Sequence, residues 1–94
     1  MAVMKIHFPD ECPEYCARDF VVAFPAEVDD TRVQCAISAE ALEDHFGAAS
    51  VREEDLLTAF ESNRRRIERA TRNVLNEIGA KPVLMHSGYF RFCD

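Results

Sequence analysis

Apolar and polar positions along this chain follow a period of two near the start and a helical period through the middle. Met4, Ile6 and Phe8 alternate with Val3, Lys5 and His7, which predicts a short strand over Val3–Phe8. Pro9–Pro13, with two prolines and two acids, reads as a loop. Phe20, Val22, Phe24, Ala26 and Val28 share one face of a second predicted strand. Pro25 brings no N–H to the ladder, so that strand is expected at a sheet edge or with a bulge there. Asp29–Arg32 forms a polar tip and Val33, Cys35 and Ile37 resume the alternation, the signature of a hairpin.

From Ser38 the rhythm changes. Ser38 is placed to cap a short helix through Phe46, and Gly47 to end it. Leu56, Phe60, Ile67, Ala70, Val74 and Ile78 then recur at steps of three, four or seven, predicting one long helix over Ser50–Gly79. Ser50 and Glu53 stand at capping-box spacing, and Glu53, Glu54 and Asp55 put negative charge where the helix dipole favours it. Gly79 and Pro82 supply the stop. Val83–His86 and Tyr89–Cys93 read as one or two strands around Ser87–Gly88.

The order predicts an α+β domain over residues 1–94. A small, largely antiparallel sheet (N-terminal strand, hairpin, C-terminal strand or strands) has one face covered by the long helix, and a short helix closes one end. Burial of Phe60 or Ile67 is expected to contribute ~1.5–3 kcal/mol each.

The run Val22–Ala48, VAFPAEVDDTRVQCAISAEALEDHFGA, resembles the small, mostly proteobacterial domain-of-unknown-function family 1488. The likeness rests on Phe24–Pro25, the hairpin, Cys35–Ser38 and Ala41–Leu42 leading to Phe46–Gly47. It extends through AFESNRRRIE (Ala59–Glu68), with Asp10–Cys16 and the last residues matching least. Asp30 stands where the pattern leads one to expect glycine. The resemblance implies a bacterial α+β fold, and brings no activity, cofactor or site residues.

Composition narrows the function classes. The net charge of −6 argues against general attraction to nucleic acid or anionic membranes. No run approaches the ~18–20 apolar residues of a membrane span. No secretory signal is visible, so the cytoplasm is expected and the four cysteines are expected to stay reduced. The charge is uneven: residues 1–62 hold four basic against fourteen acidic side chains, net −10, and residues 63–94 hold seven against three, net +4.

That positive end carries the main candidates. Arg64, Arg65, Arg69 and Arg72 are proposed to bind an acidic partner or a small anion; Arg65, Arg69 and Arg72 share one helical face, with Arg64 and Arg66 beside it. Glu61 and Glu68 lie at pairing distance along the helix, so a solvated, salt-laced surface explains the same residues. No aromatic residue interleaves with the arginines, which argues against nucleic acid. Asn63 falls on the apolar stripe: either its amide bonds neighbouring backbone, or His45, Asn63 and Arg64 line a polar pocket between the helices. Cys12 and Cys16 offer a Cys-x-x-x-Cys spacing for a metal or a thiol redox pair, without the second ligand pair such a site needs. No catalytic signature, metal motif or cofactor motif is present. The reading is a non-catalytic interaction or regulatory accessory protein, monomer or homodimer, with the arginine-bearing face of the long helix or an exposed sheet edge near Pro25 as its contact surface. A metal or redox protein and an anion-binding domain are the alternatives.

Overall fold

The computed structural model describes residues 5–86. Eight elements follow one another: β1 (Ile6–His7), β2 (Glu14–Cys16), β3 (Val21–Val28), β4 (Thr31–Ser38), α1 (Ala39–Phe46), α2 (Glu53–Ser62), α3 (Arg64–Ile78) and β5 (Val83–Met85). The three helices join a five-stranded, mostly antiparallel sheet, an α+β fold. β3 is its spine, with β4 on one side and both β1 and β2 on the other; β5 adds to β4 in parallel after the helical crossover. The reading of Tyr89–Cys93 as a strand lies outside the described residues, and β2 is a strand the sequence pattern did not announce.

The β3–β4 hairpin forms where the alternation predicts it. Val28 opposes Thr31, so the turn is the two residues Asp29 and Asp30, both left-handed (φ 49° and 71°). Two positive φ angles match the twist of the flanking strands, and glycine occupies such positions most cheaply. Here Asp29 is held instead. Its Oδ1 accepts the Lys5 N–H at 2.9 Å, and its own N–H donates to Lys5 O at 2.9 Å.

Pro25 does not make β3 an edge strand, nor is there a bulge. Every residue of Val21–Val28 opposes one of Thr31–Ser38 in continuous register. On the other side, β2 pairs Val21–Ala23 and β1 pairs Glu27–Val28, leaving residues 24–26 without a strand partner. The proline thus sits at an interruption of the ladder, where a missing N–H costs little. It is also buried, so it presents no exposed edge for a partner.

The long helix is two helices. Asn63 leaves helical geometry (φ −121°, ψ 18°), and its N–H is shared between Ala59 O and Phe60 O at 3.2 and 3.1 Å. Its side-chain Nδ2 donates to Ala59 O at 2.9 Å and to Phe46 O at 3.1 Å. An amide that bonds nearby carbonyls competes with the helical ladder, and here it also ties off an open carbonyl at the end of α1. Each half buries its own set of residues. α2 buries Leu56, Ala59 and Phe60; α3 buries Ile67, Ala70, Thr71 and Leu75. Val74 is only half-buried and Ile78 is exposed, against the expectation for both. Thr71 is tolerated in the core because its hydroxyl donates to Ile67 O at 2.8 Å.

The start of α2 also differs. Arg52, not Ser50, is its N-cap, without a side-chain bond. The Ser50 hydroxyl instead accepts the Arg52 N–H and donates to Asp55 Oδ2 at 2.6 Å. By contrast α1 is as expected: Ser38 Oγ accepts the Ala41 N–H at 3.1 Å, and Gly47 closes the helix at φ 72°. The core between helices and sheet centres on Phe24 and Phe60, whose rings lie 5.1 Å apart, with Leu42, Leu56, Ile37 and Ile67 around them.

Candidate functional site

The break at Asn63 sets out the five arginines that follow it, and the structure gives them different work. Arg64 turns back towards the loop between β1 and β2. Its NH2 donates to Pro9 O and Glu11 O at 3.1 and 2.9 Å, its Nε to Glu68 at 2.9 Å, and its NH1 to Glu61 at 3.1 Å. The guanidinium carbon lies 5.5 Å from the Phe60 ring centre, and the side chain is only 15% exposed. Burial opposes the charge, but the Glu68 and Glu61 carboxylates outweigh it and raise the pKa above the usual arginine value. Four of its five N–H donors are thereby used within the chain. Both nearby glutamates serve Arg64, rather than Arg65 and Arg72 as their spacing also allowed.

The same loop is held from the sheet side. Arg32 makes a two-pronged ion pair with Glu11, at 3.0 and 2.9 Å. That bond holds the Glu11 carboxyl below the ordinary value and raises Arg32. Two arginines therefore clamp residues 9–11 across the gap beside Pro25, Arg64 from a largely buried position and Arg32 from the surface.

Arg65, Arg69 and Arg72 are exposed. Spaced at i, i+4 and i+7, they run along about 10 Å of α3 on the side opposite Ile67 and Thr71. Arg65 and Arg69 have no ion-pair partner among the described residues. Arg72 extends over Phe8, 5.6 Å from the ring centre, and Arg66 over Phe46 at 5.1 Å. Both aromatic contacts hold the side-chain stems in place.

A hollow of about 510 Å³ opens at the helix break. Asn63 and Arg64 line it, together with Arg65, Arg66 and Phe8; Asp10, Glu61 and Glu68 bring as many negative charges as the arginines bring positive. His45 sits half-buried in the last turn of α1 and is not among the lining residues. The Asn63 amide is committed to Phe46 O and Ala59 O, the backbone role that its place on the stripe suggested.

The thiols lie apart in character. Cys12 is exposed in the loop; Cys16, at the end of β2, has its Sγ 3.4 Å from Asp19 Oδ2; Cys35 is buried in β4, where burial pushes its pKa up to about 11. All three are free thiols, and among the described residues no group of three or more His, Cys, Asp or Glu could hold a metal. Cys93 lies outside the described residues. No described helix is long and apolar enough to cross a membrane.

No curated protein and no solved structure matches the chain. The family described as Protein of unknown function (DUF1488) matches residues 6–84, from the first residue of β1 into β5. With all of the sheet but Met85, the three described helices and both arginine clamps inside the matched span, the chain belongs to the DUF1488 family.

Proposed function

We propose that this chain is a non-catalytic cytoplasmic interaction domain that holds an acidic protein surface against the outer face of α3. The observation that supports the reading is the row Arg65, Arg69 and Arg72: three exposed cations in line, none with an ion pair among the described residues, on a chain of net charge −6. Such a row on an otherwise acidic protein favours one orientation of approach and repels cationic partners. Arg64 serves as a buttress that fixes the start of α3, not as a contact. The test is the double charge reversal R65E/R69E, with affinity capture compared against the unaltered chain. Capture of an acidic partner is expected to be lost while the melting temperature stays within a few degrees. Undiminished capture would refute the arginine face as the contact surface.

A second reading, a small anion held in the hollow, is favoured by one observation: Arg65 and Arg66 line a space large enough for a small molecule. Its equal number of acids weakens the case. Titration with inorganic phosphate separates the two readings, because a hollow-binding anion raises the melting temperature and R65E alone abolishes the rise.

A further inference from the structure

The chain itself carries a surface complementary to the α3 row. The first turn and middle of α1 expose Glu40 and Glu43, one turn apart, and neither has an ion-pair partner among the described residues. Their axial separation is about 4.5 Å, that of Arg69 and Arg72, and Arg65–Arg69 adds about 6 Å along the partner helix. Acids thus stand in a row on one helix of the layer and arginines on another. We infer that the acidic surface received by α3 is α1 of a second copy of this chain, in a two-fold dimer where each α1 lies on the other copy's α3. The inference rests on the proposed function and names its partner.

Two-fold symmetry makes the arrangement self-consistent, because a contact from α1 to α3 is answered by the same contact from α3 to α1. Each interface therefore counts the charge match twice. The −6 net charge of each copy opposes approach at long range, but salt screens charges more than about 8 Å apart at physiological strength, and side chains in direct contact are screened less. A matched charge pattern selects orientation even where it adds modestly to affinity, so a concentration-dependent dimer is expected rather than a permanent one.

The experiment uses the full chain in sedimentation velocity at 50 mM salt, with concentration varied over the micromolar range. The unaltered chain is expected to shift from monomer to dimer. R65E/R69E alone and E40K/E43K alone are expected to stay monomeric, since each places like charges opposite one another. A one-to-one mixture of the two variants is expected to restore the dimer, because each then supplies what the other lacks at both contacts. Circular dichroism melts of the variants check that both remain folded. A monomeric unaltered chain, a dimer that survives either substitution, or a mixture that stays monomeric would each overturn the inference. The arginine-face reading is judged separately: if the unaltered chain is monomeric yet still captures an acidic protein that R65E/R69E does not, only the second copy is refuted.

Discussion

Truncating Arg64 to alanine isolates what the clamp contributes. The change removes two hydrogen bonds from a guanidinium to the Pro9 and Glu11 carbonyls, the ion pairs to Glu68 and Glu61, and the packing on Phe60. A hydrogen bond to a charged donor is worth roughly 1.5–3 kcal/mol where it is shielded, and an exposed pair such as Glu61 adds little. The side chain is mostly shielded and Glu68 is 20% exposed, so the two carbonyl bonds and the Glu68 pair dominate. Water replaces part of what is lost at the loop, which brings the expected cost to about 2–4 kcal/mol. Urea denaturation measures it as a fall in the midpoint at unchanged slope. Arg65→Ala, one residue along and exposed, is the control and is expected within about 0.5 kcal/mol of the unaltered chain. Arg64→Lys is expected to recover little, because one ammonium cannot reach Glu68 and two loop carbonyls at once. Equal costs for Arg64→Ala and Arg65→Ala would refute the division of the arginines into a buttress and a free row.

Asp30 sits at φ 71°, so Asp30→Gly is expected to stabilise the hairpin by about 1 kcal/mol in the same denaturation assay, and a loss of stability would show that its side chain matters. The Cys35 thiol stays protonated in the fold up to about 11 while the unfolded chain ionises from 9.0. Its contribution is thus complete below pH 9 and lost as pH rises towards 11, by about 2–3 kcal/mol, a slope that Cys35→Ala should remove. The acid limb runs the other way. Glu11 has its pKa lowered from 4.5 by Arg32, so the stability from that pair is present above 4.5 and lost as pH falls through the depressed value, and Arg32→Ala should flatten that part of the pH profile.

Where local chemistry decides the structure, the sequence was readable. Ser38 and Gly47 bound α1 because a hydroxyl acceptor and a left-handed glycine act within their own turn. The hairpin formed because alternation on both sides of Asp29–Asp30 left one register that buries Val22, Phe24, Val33 and Cys35 together. The break in the long helix was not readable from periodicity, since Leu56, Phe60 and Ile67 keep helical spacing across it. Its cause is a tertiary bond, Asn63 to Phe46 O, seventeen residues away. The residue itself was the signal, an amide in an apolar stripe. Thr71 and Leu75 follow Ile67 at steps of four, a spacing as helical as that of Ala70, Val74 and Ile78, so periodicity alone did not choose between the two sets. The two arginine clamps were invisible for a further reason. Arg64 reaches carbonyls 53 and 55 residues away and Arg32 a carboxylate 21 away, and backbone carbonyls have no sequence signature. The arginine row was legible as a row; which member was locked and which were open was not.

The most direct measurement is binding of an acidic partner to R65E/R69E beside R64A, with the fold of each followed by circular dichroism. The reversed pair is expected to fold like the unaltered chain and fail to bind, whereas R64A is expected to melt earlier yet, below its melting point, still bind. Full binding by the folded R65E/R69E chain would contradict the arginine face as the contact surface.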